Sequence, residues 1–375
     1  MRVARFFAVV VALIGGLVAV TERPAAAAPA AVCGPAPAGH ARCFATLGAD
    51  AEIGTSQAGV AGYGPAQIKQ AYGFPTGLAA GAGQTIALVS AFDAPTIQAD
   101  LGVFSRKFGL PACTTANGCF TKIYARGVAP TVDPGWALES TLDVEWAHAI
   151  APGAKILLIE ASSNAFGDLF QAFDVGLQSD AKYISSSWGA LEFSGQTIFD
   201  PLLDNPGVSD FFGSGDNGAG GLFPASSPEV IAVGGTRLVY NPQKNKNRET
   251  GWSGSGGGCS QYYDAGTVQS AFAQYPSSCA GKRAFPDLAA VADSDPGLAV
   301  FDSTEVSGQS GWLTVGGTSA ATPIMAARAA VTGVVWDAAY VYSASRQYRD
   351  IIAGFNGFPT GPGFDLVTGR GRYRS

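Results

Sequence analysis

The stretch AKILLIEASSNAFGDLFQAFDVGLQSDAKYISSSW, residues 154–188, decides the fold. Its two ends, AKILLIEA (154–161) and AKYISSSW (181–188), are apolar runs without polar alternation, the pattern of strands covered on both faces. Between them FGDLFQAFDVGLQ (166–178) has helical spacing, so the whole reads strand, helix, strand. Working outward, TIALVSA (85–91), SDFFGSG (209–215) and PEVIAVGG (228–235) read as further buried strands. APTIQADLGVFSRKF (94–108) and LESTLDVEWAHAI (138–150) read as helices. Strand and helix in alternation predict an α/β fold, a parallel sheet with helices on both faces in one large domain. In such a sheet chemistry gathers at the carboxyl ends of the strands.

Residues 237–311 break this rhythm: they are polar, rich in Gly and Ser, and read as long loops with a hairpin over the sheet edge. SAATPIMAARAAVTGVVWDAA (319–339) then reads as one long buried helix. At the start of the chain, Arg2 and Arg5 precede an apolar run from Phe6 to Val20 and then TERPAAAAPA (21–30). These are the charged, apolar and small-residue zones of a secretory signal peptide. Gly15 and Gly16 interrupt the run, which is short for a membrane span. We therefore read 1–30 as a signal peptide cut between Ala27 and Ala30, 31–60 as an irregular lead-in, and 61–375 as the folded domain.

An exported, extracellular chain oxidises its cysteines. The six fall into neighbouring pairs, Cys33 with Cys43, Cys113 with Cys119 and Cys259 with Cys279, and this is the pairing expected among the fifteen possible. A tetrahedral metal site is disfavoured, because no C-x-x-C and no nearby histidine complete one. Charged residues are 14% of the chain, against roughly 25% in an average soluble protein. Such a chain gains little charge on acidification and so suffers less self-repulsion at low pH. No basic run points to a nucleic acid, and nothing after residue 30 resembles a transmembrane helix.

VGGTSAATPIMAA (315–327) puts Ser319 at the mouth of a helix, where free backbone N–H groups and the helix dipole favour negative charge. A serine hydroxyl needs a neighbouring base, yet the only histidines are His40 and His148. WALESTLDVEWAHAIAPGAKI (136–156) offers carboxyls instead. Glu139 and Asp143 are about 40° apart around a helix axis, whereas His148 lies about 180° from Glu139. Like charges at this spacing are mildly destabilising, so the pair reads either as a solvated acidic face or as a working pair. Leu138, Leu142 and Trp146 flank it, which favours desolvation, raised pKa values and a shared proton. One carboxyl then serves as base toward a hydroxyl at acid pH while the other orients it. A third acid, Asp216, enters the glycine-rich turn in FFGSGDNGAGG (211–221). It reads as ordinary turn chemistry or, if kept neutral, as a donor to a developing oxyanion.

Taken in order, these residues resemble the sedolisins, the serine-carboxyl peptidases, which have a subtilisin-like fold and a glutamate and aspartate in place of the histidine base. The resemblance runs from about Tyr63, in YGPAQIKQAYGF, to Gly371. E-x-x-x-D falls on Glu139 and Asp143, S-G-D-x-G on Ser214 to Gly218 with Asp216, and G-T-S-x-x-x-P on Gly317 to Pro323 with Ser319. Each motif alone is weak, but the ordered set is specific. It implies Ser319 as nucleophile, Glu139 as general base and later acid, and Asp143 as the carboxyl that positions Glu139. Asp216 and the Ser319 backbone N–H would form the oxyanion hole. SSSWG (185–189) resembles the strand end along which a substrate pairs, giving Ser187, Trp188 and Gly189 as substrate-binding residues; otherwise it is a plain strand terminus. In YRDIIAGFNGFPTGPGFDLVTGRG (348–371), Asp350, Asp365 and the carbonyls of Ile351, Gly361 and Gly363 match the family's calcium ligands, implying one structural Ca2+.

The resemblance implies a secreted, acid-active endopeptidase that acts on protein or peptide substrates through an acyl-enzyme at Ser319. It is expected to be a monomer with no nucleic-acid partner and, once the signal is removed, no membrane. Endopeptidase action is expected because nothing in the sequence visibly closes the cleft. Family members usually carry a large N-terminal pro-region, whereas only a short lead-in separates the signal peptide from Tyr63 here. A second reading therefore keeps the scaffold as a secreted binding protein with little or no turnover. A third is a subtilisin-type triad of Asp93, His148 and Ser319, which occur in that order, although no H-G-T-H motif is present. No G-x-S-x-G occurs to support an esterase nucleophile elbow.

Overall fold

A computed structural model describes residues 30–48, 60–241, 246–343 and 348–374. The signal peptide expected over 1–30 lies outside the described residues except for its last position. The main sheet comprises β1 (Thr85–Ala91), β2 (Phe120–Tyr124), β3 (Lys155–Ala161), β4 (Tyr183–Ser186), β5 (Ser209–Gly213), β6 (Ile231–Asn241), β7 (Lys246–Gly251) and β8 (Leu288–Val291). Its order is β7-β6-β5-β4-β1-β3-β2, with β8 also paired to β6. Every pairing is parallel except β6 with β7. Strand order reverses at β1, where β3 and β4 flank it, so a crevice opens past the carboxyl ends of these strands.

The apolar runs are continuous because each strand feeds two cores. Ile86 and Leu88 of β1 face one hydrophobic cluster with Leu142 and Ala320, while Ala87 and Val89 face a second with Phe166 and Phe170. Helix Phe166–Leu177 covers β1 and β3 on that second face. Helices Pro134–Ile150 and Thr318–Thr332 pack on each other and on the first. The Pro134–Ile150 helix is buried along almost its whole length, so it has no solvated face, and Glu139, Asp143, Glu145 and His148 are buried along with its apolar residues. Asp133 accepts the Trp136 N–H and Pro134 occupies the first turn, which starts the helix four residues before the expected Leu138.

The structure differs from the sequence reading in three places. Residues 237–311 hold far more strand than expected: besides β7 and β8, Gly258–Asp264 pairs with Lys282–Phe285, and Leu298–Val306 pairs with Gln309–Gly316. The last pair is a hairpin, turning through Ser307 and Gly308 at φ 52° and 79°, but it lies in a separate sheet packed on helices Ile97–Phe108 and Pro134–Ile150 instead of over the edge of the main sheet. The long helix expected over 319–339 stops at Gly333 (φ 68°) and resumes as Ala338–Tyr342. The lead-in is not irregular throughout, since Ala30–Ala31, Arg42–Cys43 and Thr46–Leu47 are short strands paired within it and to the body. Disulfides join Cys33 to Cys43, Cys113 to Cys119 and Cys259 to Cys279.

Candidate active site

Glu139 and Asp143 face inward from the Pro134–Ile150 helix and are 1% and 0% exposed, so the reading of a solvated acidic face is excluded. Ser319 opens the facing helix and is equally buried, its hydroxyl 3.5 Å from the Ser187 carbonyl. Ser187 reaches the other way, donating its Oγ proton to Asp143 Oδ1 at 2.9 Å. Burial raises the Glu139 pKa well above the ordinary carboxyl range, and the neighbouring Asp143 raises it further. The Ser319 hydroxyl and the Ala45 N–H lie close enough to pull it part of the way back, although among the described residues neither Glu139 oxygen has a fully formed hydrogen bond. Asp143 is likewise raised by burial and partly offset by Ser187. The two carboxyls therefore titrate as a unit that resists carrying two charges.

Asp216 leaves β5 through Gly215, whose φ of 101° suits glycine, and turns back toward Ser319. Its Oδ1 accepts the Thr318 N–H at 2.8 Å and the Thr318 hydroxyl at 3.0 Å, while Oδ2 has no partner among the described residues. Burial pushes its pKa up to about 7 against the lowering effect of Thr318 and of Arg42. A Cβ on Gly317 would stand 2.6 Å from Asp216 Oδ2, so a glycine there keeps the approach to that oxygen open. Thr318 and the Ser187 hydroxyl escaped the sequence reading; Thr318 is the middle residue of G-T-S, and its position beside Ser319 was the available signal.

These acids make a measurable bulk property. Asp216, Asp210 and Glu160 are each lifted to about 7, chiefly by burial. In the unfolded chain they ionise near 4, so between about pH 4 and about pH 7 the folded state binds more protons than the unfolded one. Stability then falls as pH rises through that window and levels off above it. Thermal denaturation across this range should show Tm declining toward neutrality; a Tm that climbs would contradict the placement of these acids.

His148 is turned away from the site. Its Nε2 is 2.9 Å from the Pro111 carbonyl, and burial lowers its pKa. Asp93 instead holds Lys122 and Tyr124. Among the described residues no contact joins His148 to Asp93 or Ser319, so the subtilisin-type triad is not assembled. His148 also lies beside Cys113 and Cys119, but those sulfurs are bonded to each other and offer no thiolate.

The substrate-binding residues expected at Ser187, Trp188 and Gly189 present their backbone to the crevice, while the Trp188 indole is buried and donates to the Val89 carbonyl at 3.0 Å. That backbone is already paired. The Ser187 carbonyl accepts the Phe44 N–H at 3.2 Å, and Trp188 and Gly189 pair antiparallel with Cys43 and Arg42. The expectation that nothing closes the cleft is therefore corrected, because residues 41–47 lie across it. The sequence carried no sign of this, since backbone pairing over such a separation leaves no periodicity.

At the far end, Asp350 Oδ2 accepts the Gly363 N–H at 2.7 Å, and Asp365 Oδ2 accepts the Gly361 N–H at 3.3 Å. The loop thus gathers both carboxyls with the turns that bear Gly361 and Gly363. Burial raises Asp365 to about 6, with no cationic side chain among the groups that act on it. A hard cation held by carboxylates and turn carbonyls fits this donor set.

The sequence profile of the subtilase family matches residues 135–352. Kumamolisin from Bacillus sp. (strain MN-32) is 30% identical over 366 residues, covering 85% of this chain and 63% of its own length. Xanthomonalisin from Xanthomonas sp. (strain T-22) is 28% identical over 403 residues, covering 86% and 46%. The chain thus spans less than two thirds of either relative. The solved structure of a Pseudomonas sedolisin, a serine-carboxyl proteinase complexed with two molecules of pseudo-iodotyrostatin, matches with a TM-score of 0.69 and 26% identity, over 84% of this chain and 96% of that one.

Proposed function

Because the chain belongs to the subtilase family, and within it to the sedolisins, we propose that it is a secreted, acid-active serine-carboxyl endopeptidase. The observation that carries this reading is the buried Ser319 hydroxyl beside Glu139, with no histidine at hand. A peptide pairs along Ser187 to Gly189 and places its carbonyl carbon at Ser319 Oγ. Glu139 takes the hydroxyl proton as the bond forms, held in position by Asp143. The oxyanion is met by the Ser319 N–H and by the proton on Asp216 Oδ2, the oxygen left without a partner. Glu139 then passes its proton to the leaving amine, and water repeats the sequence to release the acid.

Acid working pH follows from the same groups. Asp216 must be protonated, which it ceases to be above about pH 7, and the carboxyl pair must keep one negative charge, which sets the acid limit. The test is digestion of a denatured protein at steps from about pH 3 to about pH 7 with the fragments read by mass spectrometry. A fluorophosphonate should label Ser319 of a peptidase and leave a binding protein unlabelled. Internal cuts that need Ser319 support the reading, and an unlabelled, inert chain rejects it.

One structural Ca2+ belongs to the same proposal, held by Asp350, Asp365 and the carbonyls of Ile351, Gly361 and Gly363. Its charge would tie the loop of residues 350–365 to itself. Binding at a hundredfold excess over Kd stabilises by about 2.7 kcal/mol, so a chelator should lower Tm by about 4 °C in a domain of this size. Asp350→Asn should remove the calcium dependence, and a Tm indifferent to chelation in the wild type would discard the site.

A further inference from the structure

Among the described residues one groove gathers acids with nothing to balance them. It lies past the amino ends of β5 and β6, encloses about 280 Å³, and is lined by the turn before β5, by Pro228 and Glu229 before β6, and by the segment that follows helix Thr318–Thr332. Ser319 opens that helix at the carboxyl ends of the strands, so the groove and the active site sit at opposite ends of the sheet. Asp204, Asp210, Glu229 and Asp337 line the groove, and no lysine, arginine or histidine does. A neighbouring hollow of about 400 Å³ shares Asp204, Pro228 and Glu229 and adds Asp200, so the two are continuous. Burial raises the Glu229 pKa, and Asp204 and Asp200 raise it further. Arg283 alone opposes them, and its guanidinium is already held by Asp287 and Tyr342.

Asp210 is the buried member, 4% exposed. Its Oδ2 accepts the Asn205 amide at 3.0 Å, while Oδ1 has no partner among the described residues. A buried carboxyl oxygen without a donor is costly, so a donor arriving from the groove meets an oxygen that nothing else satisfies. The kind of donor follows from the spacing. Among the described residues no three carboxyls of the groove bring oxygens within 4.8 Å of one another, so they form no cage for a bare metal ion. They are strung along a wall of Val208, Ile231, Val268 and Trp336. An alkyl chain bearing several ammonium groups matches both features, its methylenes on the wall and its N–H groups on the carboxylates.

We infer that the groove is a binding site for a linear polyamine, with one ammonium on Asp210 and the others on Glu229, Asp204 and Asp200. Neither Ser319 nor its carboxyls take part. A bound polyamine joins the turn before β5 to the turn before β6 and to the segment after helix Thr318–Thr332, and so stabilises the fold by mass action. Its charge also competes with the proton on Asp210, which burial pushes up to a pKa of about 7 while the Asn205 amide pulls it down. The groups that face Asp210 are Asn205 from its own turn, Glu229 from the turn before β6 and Asp337 from the segment after the helix, and none is cationic. Near about pH 6.5 uptake of the ligand therefore expels a proton.

The experiment titrates spermidine into the purified full chain by calorimetry at about pH 6.5, in two buffers of different ionisation enthalpy. The expected result is one saturable site, a proton released on binding, and a Tm that rises with ligand concentration. Glu229→Gln, at an exposed position, should raise Kd at least fivefold. Asp210→Asn keeps the shape and an oxygen for Asn205, and should raise Kd at least tenfold and abolish the proton release. Melting curves without ligand show whether both variants fold, and Glu229→Gln alone decides if Asp210→Asn does not. Asp174→Asn, on helix Phe166–Leu177 and outside the groove, should leave Kd unchanged. Magnesium at the same concentration should not displace the spermidine. Absence of saturable binding by the wild type overturns the inference. So does an equal loss in Asp174→Asn, which would mark diffuse surface charge, or displacement by equimolar magnesium, which would mark a metal site. Binding is read without turnover, so it stands or falls apart from the peptidase reading.

Discussion

Ser319→Ala is expected to fold as the wild type and to hydrolyse peptides at a rate lower by about 10^4 to 10^6 in kcat/KM. The hydroxyl is buried, but among the described residues its one formed hydrogen bond is a long 3.5 Å approach to the Ser187 carbonyl, with Glu139 nearby. Deleting it therefore costs little packing and no strong hydrogen bond, and Tm should move by no more than about 2 °C. The residual rate comes from the Ser319 N–H and Asp216, which survive the substitution and still favour an oxyanion over water. Kinetics on one peptide and a melting curve on the same preparation check both halves. Wild-type turnover in this variant would show that the nucleophile lies elsewhere.

Glu139→Gln separates catalysis from stability in opposite directions. The amide matches the carboxyl in shape but accepts no proton, so kcat should fall by about 10^4. Stability should rise at neutral pH, and the sign follows from the direction of the shift. Burial and Asp143 raise the folded pKa of Glu139 above its unfolded value. Its contribution is therefore fully present below the unfolded pKa and is lost as pH rises through the folded one. Glutamine has no such loss, so the gap in Tm between variant and wild type should be near zero at about pH 4 and grow toward about pH 7. His148→Ala, by contrast, should leave kcat intact, because its ring binds the Pro111 carbonyl and not Ser319. A Glu139→Gln enzyme with full activity would end the carboxylate-base mechanism.

What could be read from the sequence was whatever packs locally. β1 and β3 announce themselves because burial on both faces demands unbroken apolar runs, and the Glu139 helix because its neighbours at three and four residues are bulky. The polar stretch 237–311 hid its strands because Gly258–Asp264 and Leu298–Val306 alternate imperfectly and gain their stability from partners in the fold. The site divides the same way. Glu139, Asp143, Asp216 and Ser319 were legible as motifs of chemical type, whereas Phe44 was not. Its partners Ser187 and Ser319 lie far along the chain and meet it through main-chain atoms, which every residue has. Gly189 and Gly213 tell a related story: their role is an absent side chain, and only the ring packed against them reveals it.

Both halves of the Cys33–Cys43 bridge precede residue 44. The bridge therefore closes residues 33–43 into a ring just before the chain enters the cleft, and a ring has less freedom to lose on lying against Trp188 and Gly189 than an open segment of the same length. Reducing the bridge would give that freedom back, so the cover over Ser319 would loosen before the main sheet does.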